Sequence, residues 1–136
     1  MIEAVPPRSW RWHFPLRLAG GLNAREHFRV RAKRVARERS DTRISSLASL
    51  GRGWWKAVEL PVEVVITRFS PRLLDTDNLS GSAKSVRDEI AAMLAEAHPG
   101  FSDGPLEGRA TWRVEQRKGP FGVEVNIRSL SYVEVT

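Results

Sequence analysis

Residues 58–97 read VELPVEVVITRFSPRLLDTDNLSGSAKSVRDEIAAMLAEA, and the change of period within this stretch decides the fold. Val58, Leu60, Val62, Val64 and Ile66 alternate with Glu59, Pro61, Glu63, Val65 and Thr67. A period of two describes a strand with one strongly apolar face. From Asn78 to Ala97 the apolar positions are Leu79, Ala83, Val86, Ile90, Met93, Leu94 and Ala97, spaced by threes and fours, which predicts an amphipathic helix. Pro99 and Gly100 stop it. Ser70 to Asp77 is the loop between the two elements.

Toward the N-terminus, Trp10, Trp12, Phe14, Leu16 and Leu18 alternate with Arg11, His13, Pro15 and Arg17, which predicts another half-buried strand. Pro15 places it at a sheet edge or marks its end. Asn23 with Glu26 three residues later has the form of a capping box. A helix is expected from Ala24 to about Ser40, or as far as Leu50, with Phe28, Ala32, Val35 and Ala36 on its apolar side and Gly51 and Gly53 ending it. Toward the C-terminus, Ala110, Trp112 and Val114 form a third strand and Val123, Val125 and Ile127 a fourth. Lys118-Gly119-Pro120 turns the chain between them, as in a hairpin. The order is strand, helix, strand, helix, strand, strand. It predicts an α+β two-layer sandwich with a mixed four-stranded sheet and two main helices on one face.

The chain has 136 residues and a mass of 15.3 kDa, which suits one domain over 1–136, with residues 1–9 a loose Pro-containing segment. Cysteine is absent, which excludes disulfides, thiolate metal sites and cysteine nucleophiles. The three histidines, His13, His27 and His98, share no metal-ligand spacing. No apolar run approaches the ~18 residues of a membrane span, and no signal-peptide pattern opens the chain. The expectation is a cytoplasmic protein that neither enters a membrane nor uses a small-molecule cofactor.

The net charge of +6 points to an anionic partner, and most of it sits in one place. Residues 25–43 hold Arg25, Arg29, Arg31, Lys33, Arg34, Arg37, Arg39 and Arg43 against Glu26, Glu38 and Asp41, a net of +5. Arginine's planar fork suits phosphate oxygens. A basic helix that displaces counterions from a nucleic-acid backbone is therefore expected, with Arg25, Arg29, Arg31, Lys33, Arg34 and Arg37 as the DNA contacts. The alternative is an ordinary solvated helix face.

Asp75-Thr76-Asp77-Asn78 follows a strand and opens a helix. In an extended segment, residues two apart share a side, so Asp75 and Asp77 would present two carboxylates to one point. A hard cation such as Mg²⁺ relieves their repulsion. The competing reading is structural: an aspartate or Asn78 caps the helix. Lys84 lies further along the helix, with Asp88 within salt-bridge reach four residues on. Asp103 and Glu107 lie in the loop before the third strand, from which a third carboxylate can reach the pair. A lysine beside such a cluster suits phosphoryl chemistry, and a surface ion pair with Asp88 is its plain alternative.

The sequence of Asp-x-Asp-Asn, then Lys-x-x-x-Asp, then an acidic loop before a strand resembles the RusA family of Holliday junction resolvases. Residues 23–28, 70–79 and 114–119 carry the likeness, as an early basic segment, a catalytic loop and a closing hairpin. The resemblance implies a RusA-like fold and a Mg²⁺-dependent endodeoxyribonuclease, with Mn²⁺ as the alternative ion. It further implies a homodimer of bacterial or phage origin that acts on four-way DNA junctions in recombination and repair. It implies Asp75, Asp77 and Asp103 as metal ligands and Lys84 as the catalytic lysine. Lys84 stands seven residues after Asp77 where the family has four. Ser102-Asp103 stands where the family has two acids, with Glu107 as the substitute. The alternatives are a non-catalytic binder of branched or duplex DNA with a degenerate site, and an RNA-binding protein of similar charge.

Of the five tryptophans, Trp10, Trp12 and Trp112 fall on apolar strand faces. Trp54 and Trp55 lie beside Arg52 and Lys56, and packing is favoured over base stacking for them as well. His27 and His98 are expected at the surface without partners.

Overall fold

A computed structural model describes residues 3–4, 8–18, 20, 26–101, 109–130 and 134–135. The elements in chain order are β1 (Glu3–Ala4), β2 (Ser9–Phe14), α1 (Phe28–Leu50), a 3₁₀ turn (Trp54–Ala57), β3 (Val62–Ser70), α2 (Thr76–Ser82), α3 (Lys84–Ala97), β4 (Ala110–Lys118), β5 (Gly122–Ser129) and β6 (Glu134–Val135). β1 and β6 pair as a small separate ladder. The expected loose segment at 1–9 thus includes three paired residues, Glu3, Ala4 and Ser9, and most of the rest of it lies outside the described residues.

The main sheet is mixed and four-stranded, in the order β2-β5-β3-β4. β3 pairs parallel with β4, from Val62 opposite Ala110 to Ser70 opposite Lys118. It pairs antiparallel with β5, from Val62 opposite Ser129 to Phe69 opposite Gly122. β5 in turn pairs antiparallel with β2. The α+β class and the sheet size are as expected, but the hairpin is not. β4 and β5 lie on opposite sides of β3, and residues 119–121 carry the chain across its end. There the Gly119 amide donates to the Ser70 carbonyl at 3.2 Å.

One face of the sheet is dry. Trp12 and Phe14 of β2, Val62, Val64 and Ile66 of β3, and Val123, Val125 and Ile127 of β5 are buried there against Val86, Ile90, Met93 and Leu94 of α3. Trp12, Trp54 and Trp55 pack there, Trp12 meeting Trp54 with tilted rings at 5.4 Å and Trp54 meeting Trp55 edge-on at 5.8 Å, while Trp10 and Trp112 are half-buried against the same core. The other face carries Arg11, Glu124, Arg128, Glu63, Arg113 and Glu115, cross-linked by ion pairs.

Three element boundaries differ from the sequence reading. β2 ends before Pro15, although the alternation of burial continues through Leu16 and Leu18. β3 begins at Val62, because Trp54–Ala57 fold as the 3₁₀ turn that buries both tryptophans. The single helix expected at 78–97 is two, broken at Ala83 (φ −94°, ψ 2°) just after Gly81 and Ser82, weak helix formers.

α1 is the largest departure. It begins at Phe28, and its cap is His27, whose Nδ1 accepts the Arg29 amide at 3.2 Å; Asn23 lies outside the described residues. Three of the four residues expected on its apolar side face outward, Phe28 at 70% exposure and Ala32 and Ala36 also exposed, while Val35 is half-buried. Its buried residues are Glu38, Thr42 and Ser46. Each has polar partners. The Thr42 hydroxyl donates to the Glu38 carbonyl, the Ser46 hydroxyl accepts from Trp54 Nε1 at 3.0 Å, and Glu38 accepts from Ser85 and Arg34. Neighbouring Ser45 accepts from Trp12 Nε1 at 3.1 Å. α1 is joined here to β2, the 3₁₀ turn and α3 through hydrogen bonds that satisfy most of the buried polar groups, while Glu38 Oε2 is buried without a partner among the described residues. His98 is likewise not free, since Nε2 lies 2.8 Å from the Val58 carbonyl oxygen.

Candidate functional site

The inward rows of the two parallel strands change character at their C-terminal ends. On β3 the row runs Val62, Val64, Ile66, Arg68, Ser70, and on β4 it runs Ala110, Trp112, Val114, Gln116, Lys118. The core closes at Ile66 and Val114, and polar side chains take over where the chain leaves β3 for α2. Gln116 uses its whole amide on that exit. Its Oε1 accepts the Leu74 amide at 2.8 Å, and its Nε2 donates to the Leu74 carbonyl at 2.7 Å. Asp75 follows directly.

Asp75 is the N-cap of α2. Its backbone is extended (φ −70°, ψ 167°), and its Oδ1 accepts the Asn78 amide at 2.9 Å. Thr76 and Asp77 are already helical. The premise that Asp75 and Asp77 share a side of an extended segment is therefore corrected, since positions two apart on a helix do not face one another. Both carboxylates are exposed, and neither makes an ion pair among the described residues. Asp77 in the first turn also favours the positive end of the helix dipole. Asp103 and Glu107, with Ser102, lie outside the described residues. Among the described residues no three His, Asp or Glu side chains come together as a metal cluster.

Lys84 opens α3 and is 73% exposed, with Nζ 3.2 Å from Asp88 Oδ2. The ion pair anticipated from the spacing is present. Lys84 also lines a cleft of about 360 Å³ between α1 and α3, with Arg31, Arg34, Glu38, Ser85 and Asp88; Asp75 and Asp77 do not line it.

The basic helix divides into two groups. Arg34, Arg39 and Arg43 turn inward. Arg34 meets Glu26 at 2.9 Å and Glu38 at 3.0 Å. Arg39 and Arg43 converge on Glu89 of α3 at 2.8 and 2.6 Å, and Arg43 reaches Glu96 as well. Burial pushes the Glu89 carboxyl upward, but the hydrogen bonds and charges of Arg39 and Arg43 outweigh it and hold the group below its ordinary value. The hydrogen bond from Arg34, more than any other influence, does the same for Glu26. Arg29, Lys33 and Arg37, four residues apart and about 6 Å apart along the axis, form an exposed stripe. Neither these three nor Arg31 makes an ion pair among the described residues. Arg25 lies outside the described residues. Of the expected DNA contacts, Arg34 is therefore committed to internal structure.

Sequence reasoning missed Arg68. It is 6% exposed, and its Nε is buried without a hydrogen-bond partner among the described residues. The signal was present in the alternation, because Arg68 continues the row of Val62, Val64 and Ile66. With Arg17 and Arg72 it lines a cavity of about 410 Å³ that Leu74 also lines.

A scan against protein-family models gives no match to this chain, and a search of curated proteins gives none either.

Proposed function

We propose that this chain is a RusA-like, Mg²⁺-dependent endodeoxyribonuclease that cuts branched DNA, working as a homodimer in the cytoplasm. The observation that carries the reading is the start of α2. Two exposed carboxylates, without ion pairs among the described residues, follow a strand end that is lined by arginines and clasped by Gln116. Mg²⁺ takes one or two carboxylates and fills the rest of its shell with water and phosphate oxygens. Each donor meets that demand singly, since Asp75 keeps Oδ2 beyond its capping bond and Asp77 is exposed, although the helical turn does not aim the two at one point. Asp75 and Asp77 would hold the ion, with Asp103 as the third ligand that the resemblance implies. When bound, it supplies Lewis-acid activation of the scissile phosphodiester and of water.

The chain's own groups do the remaining work. Arg29, Lys33 and Arg37 hold backbone phosphates and set the orientation of the DNA without reading sequence. Among the described residues Lys84 is tied by one surface ion pair, a weak interaction, so a phosphate oxygen competes readily with Asp88 for its ammonium group. Its charge then stabilises the leaving oxygen. The test is nicking of a synthetic four-way junction in Mg²⁺. Asp77→Asn is expected to abolish nicking and leave junction binding largely intact; undiminished nicking by that variant overturns the reading.

A second reading, a DNA-binding protein that does not cut, is favoured by one observation: Asp75 already serves as a helix cap, which accounts for its presence without a metal. Calorimetric titration with Mg²⁺ and Mn²⁺ separates the two. Salt-sensitive junction binding with no metal uptake at millimolar concentration selects the non-catalytic protein.

A further inference from the structure

Arg68 has the burial of a core residue and the charge of a surface one. Its inward position on β3 follows Ile66, and the sheet and the loop at 70–74 close around it. One terminal nitrogen donates to the Arg72 carbonyl at 3.0 Å, while Nε is buried without a partner among the described residues. Among the described residues no carboxylate pairs with it. Its charged neighbours in the cavity are two more cations, Arg17 and Arg72. Burial, and then the like charge of Arg17, push the Arg68 guanidinium below its ordinary value. Arginine stays protonated in proteins, so the shift marks an uncompensated buried cation.

The surroundings are built. Arg17 lies over the Phe121 ring, its guanidinium carbon 4.6 Å from the centroid. The main chain of Arg72 is fixed at both ends, its amide donating to Ser70 Oγ at 3.3 Å and its carbonyl accepting from Arg68. Three arginines thus line one cavity of about 410 Å³, with no acidic residue in its lining among the described residues. A single carboxylate would leave most of this charge unanswered. A phosphate group offers several oxygens and up to two charges, and guanidinium forks bind such oxygens in pairs.

We propose that the cavity bounded by Arg17, Arg68 and Arg72 is a phosphate-binding site, with Arg68 as its buried anchor. The site lies at the C-terminal end of β3, the end of a parallel strand pair at which ligands commonly bind in open sheets. It goes beyond the nuclease reading and does not depend on it: binding here requires neither a metal nor cleavage. The cavity is larger than one oxyanion, so the phosphate is either free or carried on a nucleotide chain.

The test uses the full chain without divalent metal. Inorganic phosphate is titrated at constant ionic strength against sodium chloride, followed by calorimetry and by melting temperature. For the wild type the melting temperature should rise saturably with phosphate and not with chloride. Arg68→Met and Arg72→Gln should each weaken phosphate binding about tenfold or more, the loss expected for one charged hydrogen-bonding group. Arg68→Met should also melt no lower than the wild type in chloride, because it removes an unpaired buried charge. Should Arg68→Met fail to fold, the exposed Arg72→Gln decides. No response of the wild type to phosphate, or an Arg72→Gln response equal to the wild type's, overturns the proposal. Short deoxyoligonucleotides with a 5′-phosphate or a 5′-hydroxyl then compete for the site. Displacement by both assigns a backbone phosphodiester, by the first alone a terminal phosphate, and by neither free phosphate.

Discussion

Gln116 holds Leu74 as a neighbouring strand would, accepting from its amide at 2.8 Å and donating to its carbonyl at 2.7 Å. One side chain thereby extends the pairing of β3 and β4 beyond its last backbone bond and sets the point from which Asp75 leaves. Replacing it leaves two partly buried main-chain groups without their partner. Gln116→Ala is expected to destabilise the fold by roughly 1–3 kcal/mol, the cost of orphaned polar groups. Gln116→Glu keeps the acceptor and loses the donor, so it should fall between wild type and alanine in urea denaturation. Equal stability of all three would show that the clasp contributes nothing.

Glu89 ties α3 to α1 through Arg39 and Arg43. Its carboxyl is held below the ordinary value of 4.5 in the folded protein. A depressed folded pKa contributes stability that is fully present above the unfolded pKa and is lost as pH falls through the folded one. Glu89→Gln should therefore lower stability at pH 7 by roughly 1–3 kcal/mol, between the values for exposed and buried pairs. The gap to wild type should close as the pH falls below about 4.5. Denaturation curves at pH 7, 5, 4 and 3 measure it, and a gap that persists at pH 3 would assign the effect to packing instead of charge.

The division of α1 into inward and outward cations predicts two different phenotypes. Arg29→Gln, Lys33→Gln and Arg37→Gln together should weaken junction and duplex binding. They should also flatten the dependence of log affinity on log salt by about 0.9 for each phosphate that is no longer neutralised. The melting temperature should hardly move, because none of the three pairs internally among the described residues. Arg39→Gln should do the reverse, lowering stability and leaving the salt slope nearly unchanged. Fluorescence anisotropy over a salt series, with thermal melts of the same variants, tests both halves.

The strand alternation was enough to place Val62, Val64 and Ile66 in the core, and the three-four spacing did the same for Val86, Ile90, Met93 and Leu94. Both patterns rest on burial against a continuous apolar face, a signal that is local in sequence. The partner of β4 was not local. Lys118-Gly119-Pro120 is a turn signal, and nothing in those residues reveals that the end of β3 passes between the strands they join. α1 misled for another reason. Its inward face is Glu38, Thr42 and Ser46, with Glu38 bonded to Ser85 from a distant part of the chain and Ser46 to Trp54 just past the helix end, so the hydrophobic pattern marked the orientation only at Leu47 and Leu50. At the candidate site the sequence located the two aspartates but not their roles. A side chain that caps a helix and one that binds a metal are the same residue type at the same place.

Asp75 allows those roles to be separated. Its Oδ1 accepts the Asn78 amide, so Asp75→Ala should cost about 1 kcal/mol, the usual loss for an N-cap. Serine caps nearly as well as aspartate but brings no negative charge. Asp75→Ser should therefore melt within a degree or two of the wild type. If Asp75 also holds Mg²⁺, the serine variant should lose junction nicking and the stabilisation by Mg²⁺ that calorimetry or thermal melts detect in the wild type. If the carboxylate is a cap and no more, Asp75→Ser should match the wild type in every one of these measurements. Asp77→Asn sharpens the comparison, because Asp77 makes no capping bond among the described residues. Loss of metal response in both variants at nearly unchanged stability would place both carboxylates on the ion. Loss in Asp77→Asn alone would leave Asp75 as the residue that fixes the start of the helix from which Asp77 acts.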